Sequence, residues 1–170
     1  GCGVTHQPSG NLKLASGIAP VPALLAAGVR VSLGTDGAAS NNALNLFAEM
    51  RACALLHKGA SRDATALPAQ AVLDMATRHA ADNLGWPELG RLEPGSAADL
   101  IALDLSAPNL QPIYNPASHV VYAASGHEVR LTMVAGQVLY RDGAFATFDY
   151  PALLAEVADA ARWVRGLAGR

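Results

Sequence analysis

The 170 residues are 51% hydrophobic and 15% charged, which supplies apolar material for a sizeable core and excludes a chain disordered by default. Twelve basic residues against 14 acidic ones leave a net charge of -2, and no Lys or Arg run forms the basic footprint that a nucleic-acid backbone requires. The two cysteines, Cys2 and Cys53, have no paired spacing, which argues against a disulfide framework or a cysteine zinc knuckle and for a reducing, cytoplasmic compartment.

The opening Gly-Cys-Gly-Val-Thr-His has neither an initiating Met nor a basic n-region and reads as an entry into a longer sequence. Gly3 to His6 is a candidate strand. Residues 20 to 28 carry Pro at the first turn and Gly at the end, the signature of a short helix. The apolar run from Ala19 to Val29 contains Pro20 and Pro22 and is far shorter than the roughly 20 residues of a membrane span. Val29 to Leu33 reads as a buried strand and Gly34 to Asn42 as a loop, with Ser40, Asn41 and Asn42 as the N-cap of a helix over Ala43 to Lys58. In that helix Leu46, Phe47, Met50, Ala54 and His57 recur at helical spacing. A second helix is expected from Pro68 to Leu84, with Gly85 as its C-cap.

The composition changes between about Leu84 and Gly90. Leu100 to Leu105, Val129 to Val134 and Val138 to Arg141 are β-prone, with turns at Ala135-Gly136 and Asp142-Gly143, so this half reads as small antiparallel β-structure that includes His119 and His127. Asp149 with Pro151 announces a last helix, Ala152 to Leu167. The class is therefore α/β followed by a β module. A closed eight-stranded βα barrel takes about 250 residues, so this chain does not contain a whole one.

Asp36 is the best candidate for chemistry, because it directly follows a short buried strand, where βα enzymes place reactive groups, and its neighbours are small. Asp36-Gly37 also satisfies an ordinary turn, and the residues alone leave both readings open. His6 ends another strand and is a candidate ligand, proton carrier or structural hydrogen-bonding residue. His57, His79, His119 and His127 have no partner at H-x-H or H-E-x-x-H spacing and read as structural or solvated.

Asn11 to Pro20 (NLKLASGIAP), Leu33 to Asn42 (LGTDGAASNN), Phe47 to Arg51 (FAEMR) and Leu89 to Leu103 (LGRLEPGSAADLIAL) together closely resemble the methylthioadenosine/S-adenosylhomocysteine deaminases of the amidohydrolase superfamily. Val121 to Gly126 (VYAASG) and Val134 to Val138 (VAGQV) extend the resemblance, which also takes in the related triazine hydrolases and chlorohydrolases. Three departures stand out: Gln7 follows His6 where the family has Cys or Asn before the Pro, Gly10 stands where the family has Ser before the Asn, and Ser96 replaces a Lys after Pro94-Gly95.

The resemblance implies the last βα units of a metal-dependent TIM barrel over 1–88, part of a small β-sandwich over 89–148, and a C-terminal helix over 149–170. It implies one divalent metal, zinc above all, with Asp36 as metal ligand, catalytic proton acceptor and substrate contact, and His6 as a further substrate contact. The other ligands, an H-x-H pair and histidines of strands five and six, lie upstream of this sequence. The implied activity is hydrolytic deamination of a small purine-type substrate, with a related guanine, 8-oxoguanine or triazine hydrolase as an alternative. On this reading the chain alone is inactive and either pairs with its missing N-terminal half or self-associates. The alternative is a non-catalytic truncated module that acts only through assembly with another chain. Neither reading involves nucleic acid or a membrane.

Overall fold

The computed structural model describes residues 2–168. Residue 1 and residues 169–170, the outer ends of the expected first and last segments, lie outside the described residues. Strands β1 (Gly3–His6) and β2 (Arg30–Leu33) pair in parallel, with Gly3 opposite Arg30 and His6 opposite Leu33. A parallel pair requires a crossover, provided here by α1 (Pro8–Lys13) and α2 (Val21–Ala26). Helix α1 was not anticipated; Pro8 starts it as a good first-turn residue.

The loop after β2 contains one helical turn, α3 (Ala38–Asn41), before α4 (Leu46–Ser61). The cap of α4 is Asn45, which accepts from the Phe47 and Ala48 amides, so Ser40, Asn41 and Asn42 do not cap it as expected. Asn45 sits immediately before the first helical residue, where its side-chain Oδ1 reaches those amides, while Ser40 and Asn41 are engaged elsewhere. The single helix expected over Pro68 to Leu84 is two, α5 (Ala69–Ala76) and α6 (Arg78–Leu84). The break is Thr77, at φ -125° and ψ -98°, whose hydroxyl donates to the Leu73 carbonyl at 2.7 Å.

The apolar faces of α4 and α5 pack on β2, with Val31, Met50, Cys53, Val72 and Met75 almost fully enclosed. A further helix, α7 (Pro116–Tyr122), closes this core through Val121. It carries His119, placed by the sequence reading in β-structure; Val120, Val121 and Tyr122 have strand propensity, but Pro116 and the Asn115 cap, which accepts from the Ser118 amide, start a helix.

A four-stranded antiparallel sheet follows in the order β3 (Leu100–Leu103), β4 (Val129–Val134), β5 (Gln137–Arg141), β6 (Ala144–Phe145). Both expected turns are present, with positive φ at Ala135 and Gly136 and at Asp142 and Gly143, the geometry that tight hairpins favour. Helix α8 (Tyr150–Ala168) is capped by Asp149, which accepts from the Ala152 amide at 3.1 Å, and it is exposed through Leu167. Among the described residues, no helix is long and apolar enough to cross a membrane.

Candidate active-site loops

The parallel ladder ends with the Gly34 amide donating to the His6 carbonyl, which sets the two strand ends side by side. Asp36 follows at φ 60°, a left-handed conformation that Asp tolerates better than most side chains. Its Oδ2 accepts the Ser40 hydroxyl at 2.6 Å, and Ser40 is itself buried in the turn of α3. That hydroxyl, helped by the Gly37 backbone, holds the Asp36 carboxyl below its usual range. The carboxylate is thus ionised at neutral pH, exposed, and fixed by its own loop.

The loop after β1 meets it directly: a methyl group on Gly10 would lie 3.7 Å from Asp36 Oδ2 and 3.8 Å from Ser40 Cβ. Lys13 at the end of α1 donates to the Ala39 carbonyl and to Asn42 Oδ1. Beneath both loops lies Glu49 of α4, 1% exposed. Its Oε2 accepts from the Ser9 amide at 3.1 Å and its Oε1 from the Asn41 side chain at 2.7 Å. One buried carboxylate therefore joins the two loops. The sequence reading passed over Glu49, although it lies four residues before Cys53 and eight before His57, on the stripe that packs inward.

His6, expected to contact substrate, is instead a core residue, 2% exposed. Its Nε2 lies 3.2 Å from His57 Nε2, and its Nδ1 has no hydrogen-bond partner. Burial, reinforced by His57 and opposed by Glu49, pulls the His6 pKa down to about 4, and burial also lowers that of His57. Both rings are neutral at pH 7, so one nitrogen of the pair donates and the other accepts. The alternation of strand side chains explains the placement: His6 pairs with Leu33 and points to the face that α4 covers.

An ionised, exposed carboxylate suits a divalent cation, and Asp36 fits one position of such a site. A catalytic zinc ordinarily takes three protein ligands. Among the described residues, Asp36 belongs to no group of three His, Cys, Asp or Glu side chains with converging donor atoms; the one such group is His6, Cys53 and His57, with donors within 4.8 Å of one another.

The family model described as the amidohydrolase family matches residues 1–139. The chain is 65% identical over 170 residues to a 5-methylthioadenosine/S-adenosylhomocysteine deaminase of Nitratidesulfovibrio vulgaris (strain DSM 19637 / Miyazaki F), covering 100% of this chain and 39% of that protein. Among solved structures, it is similar to an adenosine deaminase from Xanthomonas campestris with bound zinc, at a TM-score of 0.93 and 41% identity over 96% of this chain and 38% of that one. An atrazine chlorohydrolase from Arthrobacter aurescens TC1, complexed with zinc, superposes at a TM-score of 0.86 and 33% identity over 92% of this chain and 35% of that one. The chain thus spans well under half the length of the relatives it matches. With the family model covering most of its residues, the chain belongs to the amidohydrolase family.

Proposed function

We propose that this chain is the C-terminal portion of a cytoplasmic, zinc-dependent aminohydrolase that deaminates a purine-type substrate such as methylthioadenosine, S-adenosylhomocysteine or adenosine. In this reading 1–88 belongs to the barrel, 89–148 to the sandwich and 149–170 to a terminal helix. The observation that carries it is Asp36, ionised and exposed beside the paired strand ends, with Ser40 fixing one carboxylate oxygen. The 65% identity to a protein named as a methylthioadenosine/S-adenosylhomocysteine deaminase, against 33% to the atrazine chlorohydrolase, favours a deaminase over a triazine hydrolase.

A divalent cation held partly by Asp36 would supply an acidified water as nucleophile. Asp36 would accept the proton of a water that adds to the ring carbon bearing the amino group and would return it to the departing nitrogen, so that ammonia leaves and a keto group remains. Ser40 keeps the accepting carboxylate oriented and Glu49 holds the two loops in register. His6 stands behind the loops and supports them from the core. One carboxylate does not retain a catalytic zinc, so turnover needs the remaining length of the enzyme.

The test is to express the upstream part of a close relative separately, mix it with this chain and zinc, and follow ammonia release from methylthioadenosine. Activity is expected only in the mixture, with Asp36→Asn removing nearly all of it. Turnover by the isolated chain, or more than a tenth of it surviving in Asp36→Asn, would overturn the proposal.

A further inference from the structure

We propose that His6, Cys53 and His57 form a buried zinc site separate from the one to which Asp36 contributes. Strand β1 supplies one imidazole, and successive turns of α4 supply the thiol and the second imidazole. The three donor atoms converge within 4.8 Å, and all three side chains are at most 2% exposed. Zinc takes nitrogen donors at roughly 2.0–2.1 Å and thiolate at about 2.3 Å, so the side chains need only a modest contraction around the ion. Two imidazoles and a thiolate are a donor set that zinc accepts, with one position left open.

Two further features favour a cation here. His6 Nδ1 is buried without a hydrogen-bond partner, so the ring can turn without breaking a bond at that nitrogen. Glu49, one turn before Cys53 and 1% exposed, provides a negative charge close to the cluster. With the Cys53 thiolate, it balances a divalent ion, which a low-dielectric interior otherwise disfavours. The metal-free thiol is held protonated, its pKa pushed up to about 12 by burial and then by Glu49. Binding therefore breaks the S–H bond, forms a metal–sulfur bond and releases one proton to solvent. Because all three side chains are buried, loading accompanies folding or a local opening of α4.

The test is to refold the chain under reducing conditions with Co(II) in place of zinc and to read the thiolate-to-metal charge-transfer absorption. The expected result is about one Co(II) per chain with that band present, undiminished in Cys2→Ala and in Asp36→Asn. Since the chain has only two cysteines, a band retained in Cys2→Ala comes from Cys53, whether or not a Cys53 variant folds. His57→Gln should lose the band, and zinc should displace cobalt and raise the melting temperature of the wild-type chain. Absence of the band in the wild type, or its loss in Cys2→Ala, would overturn the proposal. Retention in Asp36→Asn separates this outcome from that of the deaminase experiment.

Discussion

Ser40 donates its hydroxyl to Asp36 Oδ2 over 2.6 Å, so the carboxylate expected to carry the proton is held by a residue four positions along its own loop. The same bond is the first cause of the lowered Asp36 pKa. Ser40→Ala removes it, so the Asp36 pKa rises toward its ordinary value and the basic form is lost at a higher pH. In the reconstituted enzyme kcat should fall about 10- to 100-fold, as when an outer partner of a metal ligand is removed, with KM little changed. The acid limb of the kcat profile should move upward in pH. An unmoved acid limb would show that Ser40 does not set the state of Asp36.

Glu49 accepts from both loops at once, and its replacement should be felt in both. Glu49→Gln keeps the shape but offers an NH2 where either the Ser9 amide or the Asn41 side chain now donates. Losing one charge-assisted bond to a buried group costs about 1.5–3 kcal/mol. Chemical denaturation should show that loss, and amide exchange at Ser9 and near Asn41 should accelerate before exchange in the core of α4. Equal stability of the variant would remove Glu49 from this role.

These two residues show what the sequence made legible. Asp36 was accessible from its place after a strand and from the LGTDGAASNN loop, because strand-end position is a property of chain order. Glu49 was harder, since a carboxylate on an apolar stripe is read as an exception until its partners, 40 residues upstream and eight upstream, are seen. His6 was placed correctly at a strand end, but its burial was not legible, because a single four-residue strand does not reveal which face a later helix will cover. The break at Thr77 depends on a side-chain bond to Leu73, and α7 depends on Asn115 outweighing β-branched residues; both are contests between local preferences that pattern alone leaves undecided.

Glu128, just before β4, accepts from the Ser125 and Gly126 amides and from Asn109, tying the Pro108–Leu110 turn to the sheet. Burial alone would raise its pKa, but these hydrogen bonds outweigh burial and hold it at about 2. A carboxyl depressed on folding contributes stability above its unfolded value, and that contribution is lost as pH falls through the folded one. The melting temperature should therefore decline between about pH 4.5 and pH 2. Glu128→Gln should start lower and lose the part of that slope due to this residue. An identical slope in the variant would assign the acid sensitivity to other groups.

Gly90 joins the helical and β halves at φ 69°, and a methyl group there would sit 2.7 Å from the Thr77 carbonyl carbon. Backbone cannot yield as a flexible side-chain end can. Gly90→Ala should destabilise the chain by more than the roughly 1–2 kcal/mol of the left-handed conformation alone. Gly95→Ala, at φ 93° but with open space around it, is the control and should show only the conformational part. Equal losses in the two variants would mean that the approach to Thr77 is relieved by movement.

The two-stranded parallel sheet leaves an outer edge on each of β1 and β2, and unpaired edges recruit other strands. Apolar side chains add to this: Leu92 is 81% exposed and Trp163 on α8 is 68% exposed, with Leu154 and Val157 also uncovered. Such surfaces drive association when no partner covers them. The isolated chain should therefore run as dimers or larger species by light scattering at micromolar concentration, with the weight-average mass falling on dilution. Adding the upstream part of the enzyme should convert these species to a defined complex, because the same edges and faces would then be paired. A monodisperse monomer in the absence of that partner would show that these surfaces are stably solvated as they stand.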